Sequence, residues 1–149
     1  MPITTIFWCN LATHMNNLLS RGVASEVDIL VVGAKQGRID RLEFTAEQGL
    51  TIVEFKTHCG EAGASEPAIR QIEAYEKGLR RTLRLGASPK NSQVPLAHRA
   101  TLSIANQRLS VCPRQLNIAH LNQHDAGRAL LCDLPHVPAI CVLRKKIKK

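Results

Sequence analysis

The chain has 149 residues, 44% of them hydrophobic, which suits one compact domain with its own core and leaves nothing for a second. Its net charge of +8 is unevenly placed: residues 1–76 carry 6 Lys and Arg against 10 Asp and Glu, a balance of −4, whereas residues 77–149 carry 14 against 2, a balance of +12. Such a basic half points to an anionic partner, RNA, DNA and an acidic membrane face being equally well matched by charge alone.

The longest apolar runs, such as Val27 to Val32 and Ala129 to Leu131, are far too short to cross a bilayer, and residues 1–22 lack a charged n-region. A soluble intracellular protein, cytoplasmic by default, is the expectation. The five cysteines (Cys9, Cys59, Cys112, Cys132, Cys141) are odd in number, irregularly spaced and without a CxxC pair, which argues for reduced thiols over a disulfide framework.

In chain order, Asn10 is placed to cap a first helix whose apolar face is Leu11, Met15, Leu18 and Leu19, with Gly22 as its stop; His14 falls on or near it. Ser25 to Val32 is a β-branched run, Gly33 to Gly37 a turn, and Arg38 to Thr45 a second strand. Glu47-Gln48-Gly49 turns the chain again into Leu50 to Lys56, apolar on both alternating faces, the pattern of a central strand covered on both sides. After a polar loop from His58 to Ala64, Ser65-Glu66-Pro67 opens a helix to about Leu85, with Ile69, Ile72, Leu79 and Leu83 on one stripe and Arg70, Lys77, Arg80, Arg81 and Arg84 on other faces. Ala87 to Leu96 reads as loop, and Ala100 to Ala105 and Ala129 to Cys132 as candidate strands. A strand returning beside the central one after the helix would be parallel to it. Residues 1–143 are taken as a single domain and 144–149 as a frayed basic tail.

Three charges interrupt the hairpin where burial should cost least: Asp40, Glu54 and Lys56. Glu54 and Lys56, two apart on a strand, share a face. With a five-residue loop, Phe44 faces Leu50, Leu42 faces Ile52 and Asp40 faces Glu54; a four-residue loop would set Asp40 against Phe55 and break the constellation. Two opposed carboxylates repel one another and call for a cation. Mg²⁺ takes one or two carboxylates and keeps several waters, and a neighbouring lysine can orient or deprotonate an attacking water. The plain alternative is a partly solvated salt bridge at a strand end.

Gly37-Arg38-Ile39-Asp40 with Ile52-Val53-Glu54-Phe55-Lys56-Thr57 resembles the PD-(D/E)xK nuclease superfamily, and a following helix that carries Gln71-xxx-Tyr75 resembles its RecB-like, exonuclease V-like branch. The resemblance covers roughly Glu26 to Leu85. It implies an α/β fold with a restriction-endonuclease-like αβββαβ core, a mixed central sheet flanked by helices. It also implies Asp40 and Glu54 as ligands of Mg²⁺ or Mn²⁺, Lys56 as catalytic base or water-orienting group, and Gln71 and Tyr75 as supports of the site or the DNA. Glu26 matches a further acidic position and His14 an upstream metal-binding histidine, both more loosely, and Asp28 in Glu-Val-Asp-Ile is a rival to Asp40. Members of that branch often carry an iron–sulfur cluster, but the spacing of Cys112, Cys132 and Cys141 departs from the tight cysteine cluster it needs, so none is expected.

The function expected is metal-dependent hydrolysis of DNA phosphodiesters at single-stranded ends or flaps, with Arg80, Arg81 and Arg84 on the backbone. RNA, a homodimer and a partner protein are left open by sequence. The alternative is an inactive nucleic-acid-binding or assembly module that keeps the fold.

Overall fold

The computed structural model describes residues 5–31, 35–47, 49–56, 66–111, 118–122 and 141–147. Three helices, α1 (Thr5–Arg21), α2 (Glu66–Ala87) and α3 (Leu96–Val111), accompany five strands, β1 (Val23–Val31), β2 (Lys35–Thr45), β3 (Gly49–Lys56), β4 (Ile118–Asn122) and β5 (Cys141–Lys146). The strands form one sheet in the order β1-β2-β3-β5-β4, and every pairing in it is antiparallel.

The order helix, three strands, helix agrees with the sequence, and so does the stop of α1. Gly22, at φ 75°, donates its N–H to the Leu18 carbonyl, a left-handed end that only glycine adopts without strain. The start of α1 differs. It begins at Thr5, because Phe7 and Trp8 extend the apolar stripe of Leu11, Met15 and Leu18 and bury their rings edge to face, 5.2 Å between centroids. Asn10 is therefore an exposed interior position and not the cap.

Three further expectations are corrected. Ala100 to Ala105 lies inside α3, where Leu102, Ala105 and Leu109 are buried at helical spacing and Pro95 stands just ahead of the first turn. Arg144 to Lys146 are no tail but the end of β5, where Arg144 pairs with Glu43 and Lys145 with Glu76. The neighbour that returns beside β3 is antiparallel, with Val53 opposite Arg144 and Ile52 opposite Lys145, so the sheet is not the mixed one the resemblance implies. The loop at His58 to Ala64, the cap at Ser65 and the strand at Ala129 to Cys132 fall outside the described residues.

β3 is the central strand. Leu50, Thr51, Ile52, Val53 and Glu54 are all at most 5% exposed. α1 and α2 pack against β1, α2 also reaches β2, β3 and β5, and α3 rests on both other helices. The core between them holds Trp8, Met15, Ile39, Ile52, Leu79 and Leu102, each fully buried. No described helix is long and apolar enough to cross a membrane.

Candidate metal and nucleic-acid site

The register of the β2–β3 hairpin sets the site. Phe44 faces Leu50 and Leu42 faces Ile52, the alignment of the longer loop, and the ladder ends at Arg41 opposite Val53. The β1–β2 pairing continues past that point to Val31 opposite Lys35. The two halves of the sheet therefore part company after Arg41, and the next positions on either side of the gap are Asp40 and Glu54.

Their carboxylates brace the gap. The Asp40 N–H donates to Glu54 Oε1 at 3.1 Å, and the Phe55 N–H donates to Asp40 Oδ2 at 2.9 Å, so each strand's backbone is held by the other strand's acid where a ladder bond would have been. Burial flips along with the pairing: Leu42 and Ile39, three apart, are both fully buried although a regular strand would send them to opposite faces. On β1 the same irregularity falls at Glu26, which lies between the pairs Ser25–Arg41 and Val27–Ile39 with φ 52°, a left-handed conformation unusual for a residue with a Cβ. Glu26 thus occupies the register position beside Asp40, with its side chain exposed.

The second element of the site comes from α2. Gln71 Nε2 donates to the Tyr75 hydroxyl at 2.9 Å, as positions one turn apart allow. The tyrosine ring lies against Gly37, where a Cβ would meet Tyr75 Cε1 at 3.0 Å, so this glycine, three positions before Asp40, makes room for it. Burial raises the phenol's pKa above its ordinary 10.0, and the Glu54 and Asp40 charges raise it further against hydrogen bonds from Gln71 and the Arg38 backbone. The phenol and both carboxylates thus share one electrostatic neighbourhood.

Asp28 is not part of it; Arg38 Nε holds it at 2.9 Å on the exposed side of the hairpin. His14 sits half-buried on α1. Among the described residues no three His, Cys, Asp or Glu side chains form a metal-binding group. Two hard oxygen donors still match what Mg²⁺ or Mn²⁺ takes from protein while keeping waters. Lys56 ends β3 opposite Cys141, and its side chain lies outside what is described. Of the arginines, Arg81 and Arg84 are exposed, whereas Arg80 is bound by Glu76 at 3.2 Å.

One cation carries no signal in the sequence. Lys145, 4% exposed, places its ammonium 2.9 Å from Glu76 and 4.0 Å from Glu73, tying β5 to α2. Because Lys145 faces Ile52, it shares a sheet face with Glu54 and is its diagonal neighbour.

Compared with protein-family models, curated proteins and solved structures, the chain matches none.

Proposed function

We propose that this protein is a metal-dependent nuclease that hydrolyses phosphodiester bonds of DNA, with Asp40 and Glu54 as the metal-binding pair and Lys56 as the water-orienting or proton-accepting group. The observation that carries the reading is the parting of β2 from β3 after Arg41 and Val53, with two carboxylates across the gap and the Gln71–Tyr75 face of α2 beside them. Bound Mg²⁺ or Mn²⁺ would supply charge neutralisation and polarisation at the phosphate. Asp40 and Glu54 hold the ion with oxygen ligands, their backbone bonds fix the carboxylates in place, and Tyr75 keeps its proton beside them. Exposed Arg81 and Arg84 hold the phosphate backbone, which favours binding without base readout.

A second reading has its own support. Because both carboxylates already accept backbone N–H groups across the gap, they could serve as a structural brace in a non-catalytic nucleic-acid-binding or assembly module. Cleavage of labelled single- and double-stranded DNA with Mg²⁺ or Mn²⁺ separates the two. The nuclease reading expects wild type to cut, and Lys56→Ala to bind as before while losing cutting. Binding in EDTA without any cutting in Mn²⁺ selects the module, and equal cutting by both proteins removes Lys56 from the mechanism.

A further inference from the structure

The carboxylates and Lys145 occupy the sheet face that meets α2; the alternate residues of β3 point the other way. On that second face Val53 lies in one row between Arg41 of β2 and Arg144 of β5, its direct partners on either side. Two residues further along β3, just past the end of the β2–β3 ladder, comes Phe55, a diagonal neighbour of Arg144. Phe55 is 43% exposed, although it stands on a strand whose preceding five residues are buried. An aromatic side chain left open there costs apolar burial that a purely structural strand would have taken.

The arginines are pre-arranged. Glu43 holds both guanidinium groups, Arg41 Nε at 3.1 Å from one oxygen and Arg144 Nη1 at 2.8 Å from the other, while their side chains stay 43% and 37% exposed. Each guanidinium carries five donors, so most of them remain for a further acceptor. Two cations per shared acid leave this row positive, and Glu43 lies on the side away from Phe55, opposite Thr51. A face with an exposed ring and two fixed guanidinium groups matches an unpaired nucleotide, its base stacked on the ring and its phosphates on the arginines. A duplex cannot offer its base faces this way.

We propose that Phe55, Arg41 and Arg144 form a binding platform for single-stranded nucleic acid, the base stacking on Phe55. The platform adjoins the carboxylate site directly, since the Phe55 N–H is the group that Asp40 accepts. It rests on the nuclease reading only for the cutting of a bound strand, not for its capture.

The test is anisotropy of a short labelled oligothymidylate, with a duplex of equal length for comparison, in EDTA so that no cleavage enters. Phe55→Ala should weaken single-strand binding by about tenfold and leave duplex binding unchanged, and Phe55→Trp should restore it. Arg41→Gln and Arg144→Gln should each reduce the salt slope of single-strand binding by about 0.7. Emission of Trp8, the natural sequence's one tryptophan, reports that Phe55→Ala, Arg41→Gln and Arg144→Gln are folded, and thermal unfolding does the same for Phe55→Trp. Wild-type affinity in Phe55→Ala overturns the proposal, as does failure of wild type to bind the oligothymidylate. Cleavage by wild type in Mn²⁺ is scored separately, so an active enzyme with a dispensable Phe55 removes the platform and spares the nuclease reading.

Discussion

Tyr75 is the residue in which the site is most directly readable. It is the protein's one tyrosine, so alkaline absorbance titration follows its phenol alone. Burial first, then Glu54 and Asp40, favour the neutral phenol in the folded state, and the midpoint should lie above 10.0. A raised folded value means that Tyr75's contribution to stability is intact below the unfolded pKa and is lost as pH rises through the folded one. Asp40→Asn removes one of the raising charges, and its midpoint should fall relative to wild type. Identical midpoints would show that the phenol does not sense the carboxylate. That Asp40 and Glu54 come close, and Gln71 and Tyr75 likewise, was legible in sequence, because strand alternation and one-turn helix spacing are local rules. The flip at Asp40 was not, since it shows only where the β2–β3 ladder stops while the β1–β2 pairing goes on.

At the scale of elements, α2 is fixed to the sheet by polar groups as well as by Ile72, Leu79 and Leu83. Thr82 Oγ1 accepts the Leu30 N–H at 2.9 Å, satisfying a buried donor on the edge strand β1. Thr82→Val keeps the volume and strands that donor, and should cost about 1–3 kcal/mol in denaturant unfolding, with Thr82→Ser close to wild type. Gly78 permits the approach, as a Cβ there would lie 2.7 Å from the Leu30 carbonyl oxygen. On the other side Lys145 pairs with Glu76. Lys145→Met leaves a nearly buried acid with Arg80 beside it, and should destabilise by about 3 kcal/mol. The double variant Lys145→Met/Glu76→Met should recover to within about 1 kcal/mol of wild type by the same comparison of buried ion pairs with apolar replacements. A double variant as unstable as the single one would mean that the pair contributes more than mutual neutralisation. Sequence placed α2 well and α3 badly. The α2 stripe is unbroken, while Thr101-Leu102-Ser103-Ile104 alternates like a strand and is helical only because Leu102 and Leu109 meet the core from α1 and α2.

For the whole molecule, the charge asymmetry has an internal use that composition conceals. The acidic first half and basic second half meet across the fold, Arg144 on Glu43 and Lys145 on Glu76, so part of the basic excess joins β5 to β2 and α2. Arg81, Arg84 and Lys77 on α2 are exposed and remain for a polyanion. Binding of DNA should therefore weaken steeply with salt, and charge reversal at Arg81 and Arg84 should flatten that dependence while leaving unfolding midpoints within about 0.5 kcal/mol, as surface substitutions do. A flat salt dependence in wild type would show that the basic half serves the fold alone.

The chain by itself determined the helix and three strands up to α2, the central character of β3, the glycine end of α1 and the hairpin alignment that sets Phe44 against Leu50 and Leu42 against Ile52. All of these come from periodicity, turn chemistry and loop length, which act over a few residues. Only the tertiary structure decided that β5 runs antiparallel beside β3, that a lysine near the chain's end is buried against α2, and that the sheet opens where the two carboxylates sit. Those outcomes depend on which distant groups satisfy one another's charge and backbone hydrogen bonds, and such pairings leave no periodic trace in the order of the residues.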